Sequence, residues 1–123
     1  MTGALLVFVG GGLGAVARHG VNRLAFVWLG PSFPWGTLAV NVVGSLAMGL
    51  LIGLFSALET GQATRLFLTT GFLGGFTTFS AFSLDALALY QRGEPGFAAA
   101  YVSASVLLSL TAVAAGFAVS RLA

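Results

Sequence analysis

Cysteine and lysine are both missing from this 123-residue chain, and charge of either sign is scarce. Without cysteine there is no disulfide framework, no thiol nucleophile and no thiolate metal site, nor any hint of redox compartment. Five arginines, two glutamates, one aspartate and one histidine complete the charged and histidine inventory. Charged residues make up 7% of the chain, against about 25% in a soluble domain. The arginines are scattered, so the pI near 10.0 reflects no basic stripe and predicts no nucleic-acid partner. The lone His19 lacks companions for a metal. No nucleophile–base pair or metal constellation is present, which argues against an enzyme.

What is present is apolar: 58% of residues are hydrophobic and the mean hydropathy is +1.02. A spanning helix takes about 20 apolar residues. Segments fit at roughly 3–28, 36–58, 66–90 and 97–120. Short connections punctuate them: Gly30-Pro31-Ser32-Phe33-Pro34, Glu59-Thr60-Gly61-Gln62 and Gln91-Arg92-Gly93-Glu94-Pro95-Gly96. The expectation is an all-α membrane protein, with residues 1–123 forming one four-helix transmembrane domain and no tandem repeat. The first segment has no charged leader and is too long for a signal peptide, so it reads as a membrane helix. Arginine counts near the two ends are balanced, with Arg65 and Arg121 against Arg23 and Arg92. Such a chain has no positive-inside bias and could insert either way, making an antiparallel dimer available. The alternative is one orientation fixed by something that a count does not see.

The first segment contains Gly10-Gly11-Gly12-Leu13-Gly14-Ala15, a formal match to a dinucleotide-binding pattern. The acidic residue that would hold a ribose about 20 positions on is missing, the first being Glu59. Close helix packing through Gly10 and Gly14 is the better reading. Arg18 lies about 22 Å along this helix from residue 3. It is either an attractor for anions in a wet vestibule or a structural residue that snorkels or pairs with carbonyls.

In the second segment Thr37, Asn41, Ser45, Gly49 and Gly53 recur every four residues, a small or polar stripe on one helical face. A carboxamide among Leu, Val and Ala is costly unless it bonds something. Asn41 therefore either ties a neighbouring helix or offers N–H to a permeant anion. The fourth segment repeats the spacing with Tyr101, Ser105 and Ser109, a ladder of hydroxyls about 6 Å apart that could face the stripe.

The third segment holds Gly71-Phe72-Leu73-Gly74-Gly75-Phe76-Thr77-Thr78-Phe79-Ser80-Ala81-Phe82-Ser83. Three glycines and four hydroxyl residues make it a poor uninterrupted helix. The expectation is a third helix broken in the middle, since freed backbone groups survive in a bilayer only against protein, water or an ion. An intact helix with a small-residue packing face is the alternative. Phe79 and Phe82 share a face, with Ser80 and Ser83 beside them, and ring edges can solvate an anion without supplying counter-charge. Carbonyls freed at the break could hold a small cation. Asp85 requires a partner, a proton or water.

Three motifs, Gly11-Gly12-Leu13-Gly14-Ala15-Val16-Ala17-Arg18, Pro34-Trp35-Gly36-Thr37-Leu38-Ala39-Val40-Asn41-Val42-Val43-Gly44-Ser45 and Gly71 through Ser80, together resemble the Fluc/CrcB fluoride channels. The resemblance spans all the segments in order. It implies an antiparallel, dual-topology homodimer in the plasma membrane, with two pores at the subunit interface that passively export cytoplasmic fluoride. Asn41, Phe79 and Phe82 match the pore residues of that family, with Ser80 and Thr37 alongside. Tyr101, Ser105 and Ser109 fall on its polar track. A central structural Na⁺ would be held by carbonyls of Gly74 and Thr77 from each subunit, and Arg18 would orient the helices or the vestibule. Ala81 stands where the family usually has Thr, which would weaken fluoride binding or shift it to Ser80 and Ser83. Asp85 stands where Glu is common. A proton-coupled exporter using Asp85 and a non-transporting helical scaffold are the competing classes.

Overall fold

A computed structural model of the chain describes residues 2–122. In chain order the elements are α1 (Thr2–Leu29), α2 (Trp35–Leu58), α3 (Gln62–Arg65), a π-helical stretch over Leu66–Leu73, α4 (Gly74–Phe76), α5 (Phe79–Gln91) and α6 (Pro95–Ser120). No strand occurs among the described residues. Thr2–Leu29, Trp35–Leu58, Gln62–Gln91 and Pro95–Ser120 give four helices long and apolar enough to cross a membrane.

The turns follow from their residues. Gly30 and Gly93 take positive φ at 79°, a conformation that lacks a steric cost only without Cβ. Pro95 occupies the first turn of α6, where its missing N–H costs nothing. Helix α2 ends at Glu59, which is left-handed (φ 51°, ψ 43°) and donates its N–H to the Phe55 carbonyl. Arg65 closes that end: its Nε donates to the Thr60 carbonyl at 2.9 Å and an Nη to the Phe55 carbonyl at 3.0 Å.

The packing seams are made of glycine. Gly10 and Gly14 of α1 are buried. A Cβ on Gly14 would strike the Phe72 carbonyl oxygen, and one on Gly75 would strike the Gly11 carbonyl. The G-x-x-x-G reading of α1 thus holds, and its partner is the third segment. Helix α2 runs along α6 in the same manner, with Gly49 against Val113 and Phe117, and Gly53 against Ser120. Ser120 is buried there and donates its hydroxyl to the Phe117 carbonyl at 2.7 Å.

Few large side chains are enclosed. Val40, Phe55, Leu73, Phe82, Leu89 and Tyr101 are buried, whereas many Leu, Val and Phe residues project outward. In lipid, such side chains lose nothing by facing acyl chains, so cohesion comes from close backbone approach and polar ties.

Candidate functional site

The third segment leaves helical geometry at two residues. Thr77 (φ −86°, ψ 157°) and Thr78 (φ −153°, ψ 120°) are extended, between the end of α4 and the start of α5. Upstream, the Gly74 N–H reaches back five residues to the Thr69 carbonyl, the hydrogen-bond pattern of a π-helix. Side chains take up much of the hydrogen bonding that the ladder gives up. Asn41 Nδ2 donates to the Thr78 carbonyl at 3.0 Å, and the Thr78 N–H donates to Asn41 Oδ1 at 2.7 Å. The carboxamide pairs with Thr78 as a neighbouring strand would. Donor meets acceptor at both ends, which fixes the orientation of the amide. Arg18 Nε donates to the Gly75 carbonyl at 3.1 Å, one turn before the extended pair. Thr78 Oγ1 then accepts from the Ala81 N–H at 3.1 Å and caps α5.

Asn41 ties α2 to the third segment, and it still has one N–H, since a carboxamide carries two. Arg18 pairs with a carbonyl of that segment.

Beside the extended residues lies an open cleft of about 460 Å³. Its walls come from α2 (Asn41, Ser45), the extended pair itself, α5 (Phe79, Phe82) and α6 (Ser105, Ser109). No charged side chain lines it. The Phe79 and Phe82 rings are 5.4 Å apart at 59°. Phe82 is buried, while Phe79 is 78% exposed. Thr78 and Ser45 belong to this wall; the polar stripe of α2 includes Ser45 without singling it out, and no pattern pointed to Thr78. The signal for Thr78 was its place at the end of the Gly-Gly-Phe-Thr-Thr run, where a helix must restart and needs a cap.

The remaining predicted residues are elsewhere. Tyr101 and Thr37 are buried behind the cleft. The Tyr101 hydroxyl donates to Asp85 Oδ2 at 3.2 Å, which supplies the partner that the carboxylate required. The Thr37 and Ser105 hydroxyls lie beside the same phenol. Ser105 Oγ closes no hydrogen bond and is the one buried side-chain oxygen left unpartnered among the described residues. The spacing-four stripe of α2 and the ladder of α6 therefore do meet. Ser80 is exposed, with its hydroxyl 3.4 Å from Thr78 Oγ1. Ser83 donates to the Phe79 carbonyl at 3.0 Å. Neither lines the cleft. Gly74 is exposed and Thr77 partly so. No group of three or more His, Asp or Glu that could hold a metal occurs among the described residues.

Four apolar spans, three of which wall a largely apolar cleft with a few uncharged polar groups, define a multi-pass helical membrane protein. Comparison with known proteins gives the lineage. Residues 5–117 match the family described as CrcB-like protein, Camphor Resistance (CrcB). The chain is 58% identical to the "Fluoride-specific ion channel FluC" of Methylobacterium nodulans, over 98% of both chains. Proteins of the same name from Rhodopseudomonas palustris and Rhizobium etli are 56% and 53% identical, over 95% and 98% of both chains. The chain belongs to the CrcB family.

Proposed function

We propose that this chain is a fluoride-selective channel that lets the ion leave a bacterial cytoplasm passively across the plasma membrane. The observation that carries the reading is 53–58% identity, over nearly whole chains, to relatives named as fluoride-specific channels. The cleft chemistry supports it. A small, strongly hydrated anion gives up water only where several donors replace it at once. The spare N–H of Asn41, the hydroxyls of Ser105 and Ser109, and the ring edges of Phe79 and Phe82 are such donors without a counter-charge that would trap the ion. Ser105 Oγ, buried and unpartnered, has its proton to give.

The cleft is open, with Phe79, Val106 and Leu110 of its lining exposed, and a path through lipid requires such an opening to be covered. A second copy, inserted antiparallel, is the covering that balanced arginines allow. In that dimer the interruption at Thr77 and Thr78 is the functional break in the third helix. Na⁺ is a hard ion that takes oxygen ligands, and neutral carbonyls suit it. The Gly74 and Thr77 carbonyls of one chain are too few, and the same pair from a second copy doubles them. The fit rests on Thr77 having left the helix and on the exposure of Gly74 at the start of α4. Na⁺ would neutralise the carbonyl dipoles between the subunits.

Liposomes carrying the purified protein test the reading. Fluoride efflux at least about a hundredfold faster than chloride efflux supports it, and equal halide leakage refutes the selectivity. Efflux should follow the fluoride gradient alone. Uphill fluoride movement driven by a proton gradient would instead make it a coupled transporter.

A further inference from the structure

The peptide that joins Thr77 to Thr78 is held by α2 in two ways. The first is a hydrogen bond: its N–H donates to Asn41 Oδ1 at 2.7 Å. The carbonyl of a trans peptide points opposite to the N–H, so the Thr77 carbonyl is turned away from Asn41. None of the described residues donates a hydrogen bond to it.

The second hold is steric. The Thr77 hydroxyl donates to the Leu73 carbonyl at 2.9 Å, and the Thr77 N–H donates to the same oxygen at 3.0 Å. In a β-branched side chain, fixing one branch fixes the other. The Thr77 methyl is thereby set against Gly44, three residues beyond Asn41 and on the same face of α2. A Cβ on Gly44 would overlap that methyl. Gly44 is buried within an unbroken helix, so its own backbone does not call for glycine. The contact with Thr77 does.

We propose that Gly44 is a positioning residue for the break: its missing Cβ seats the Thr77 methyl and, together with Asn41, sets the direction of the Thr77 carbonyl. This rests on the reading of the break as the seat of Na⁺ between two copies and of the cleft as a fluoride path. A methyl at position 44 leaves Thr77 two exits. Either its side chain turns off the Leu73 carbonyl, or the extended pair moves away from α2 and pulls on the Asn41 bonds. Either way the peptide loses one of its two holds.

A size exchange tests the seat. Thr77→Ser removes the methyl and keeps the hydroxyl, whereas Thr77→Val keeps the bulk and removes the hydroxyl. In liposomes, Gly44→Ala should slow fluoride efflux at least about tenfold, the order of loss that an ångström of misplacement brings. Introduced into Thr77→Ser, the same change should slow efflux less than about twofold, because the overlap is gone. Introduced into Thr77→Val, it should stay as damaging as in the native background. The melting temperature in detergent is the second readout. Replacing choline by Na⁺ should raise it in the unaltered protein, since an ion held only by the folded state stabilises that state. The rise should vanish in Gly44→Ala and return when Thr77→Ser is added. Both residues line the cleft, but a methyl that merely narrowed the cleft would leave the Na⁺ effect in place. An undiminished Na⁺ effect in Gly44→Ala overturns the proposal, and so does equal slowing of efflux in all three backgrounds. Should Gly44→Ala alone fail to fold, the double variant with Thr77→Ser decides: folded, it supports the seat, and unfolded, it overturns it. If the unaltered protein carries no fluoride, the channel reading fails and the melting temperatures still decide about Gly44. If its melting temperature ignores Na⁺, the cation reading fails and the efflux exchange decides.

Discussion

Asn41 has a different task from the one that a count of donors suggests. It hydrogen-bonds through both its oxygen and its nitrogen to a single residue, Thr78, and so holds the extended pair in place while one N–H remains for the cleft. Asn41→Asp keeps the shape and removes the donor, so the Thr78 carbonyl would face a carboxylate. Loss of that bond and the new repulsion should cost about 2–3 kcal/mol, read as a lower melting temperature in detergent, and should stop efflux. Asp85 and Tyr101 form a second pair whose members stand 16 residues apart. Tyr101→Phe and Asp85→Asn, singly and together, should give a coupling energy of about 1 kcal/mol in a double-mutant cycle. A coupling indistinguishable from zero would mean that the bond contributes nothing. Phe79 and Phe82 differ in surroundings despite sharing a face. Replacing either with Ile keeps most of the volume and removes the positive ring edge, so efflux should fall in each while the folded protein persists. Normal efflux in both would take the rings out of the ion path.

At the scale of elements, the helices show what could be seen beforehand. The apolar segments and their punctuation mark all four spans, because lipid demands long apolar runs and allows little else. The four-residue spacing of Thr37, Asn41 and Ser45 with Tyr101, Ser105 and Ser109 anticipates two faces that do meet. Spacing within a helix cannot say which residues stay at the wall and which sink behind it. That depends on a few degrees of rotation, and it separates Ser105 from Tyr101. Thr78 and the Arg18–Gly75 bond were hidden for another reason: both depend on where a helix stops, and π-type bonding over Leu66–Leu73 shifts the register before that point. Two changes test the element-level account. Gly14→Leu would drive a side chain into the Phe72 carbonyl, separating α1 from the third segment, at a cost of about 3 kcal/mol or more. Glu59→Gly relieves a left-handed residue at the end of α2 and should raise stability by up to about 1 kcal/mol, since the fold needs the angle and not the side chain. Both are read by thermal unfolding in detergent.

For the whole molecule, the central question is how a protein with so little outside the lipid chooses its direction. Arg65 is spent on capping α2, where it bonds two carbonyls and lies over the Phe55 ring at 5.4 Å. Arg121 lies over Phe117, and Arg92 is bonded to Ser32 and Glu94. These three arginines are occupied locally, and with Arg23 counted beside Arg92 the arginines near the two ends number two and two, so a count predicts no bias. If the working unit contains one copy in each direction, imbalance should disable it in a recoverable way. Adding two arginines to the connection at residues 30–34 should bias insertion one way and abolish efflux. Adding two after Glu59 should bias it the other way, with the same loss. Neither change touches the cleft, so each chain alone should remain folded and membrane-embedded. Co-expression of the two should restore efflux to within about twofold of the unaltered protein, because the bias sets insertion and not packing. Full efflux from either biased chain by itself would show that one direction suffices, and the antiparallel pairing would have to be abandoned.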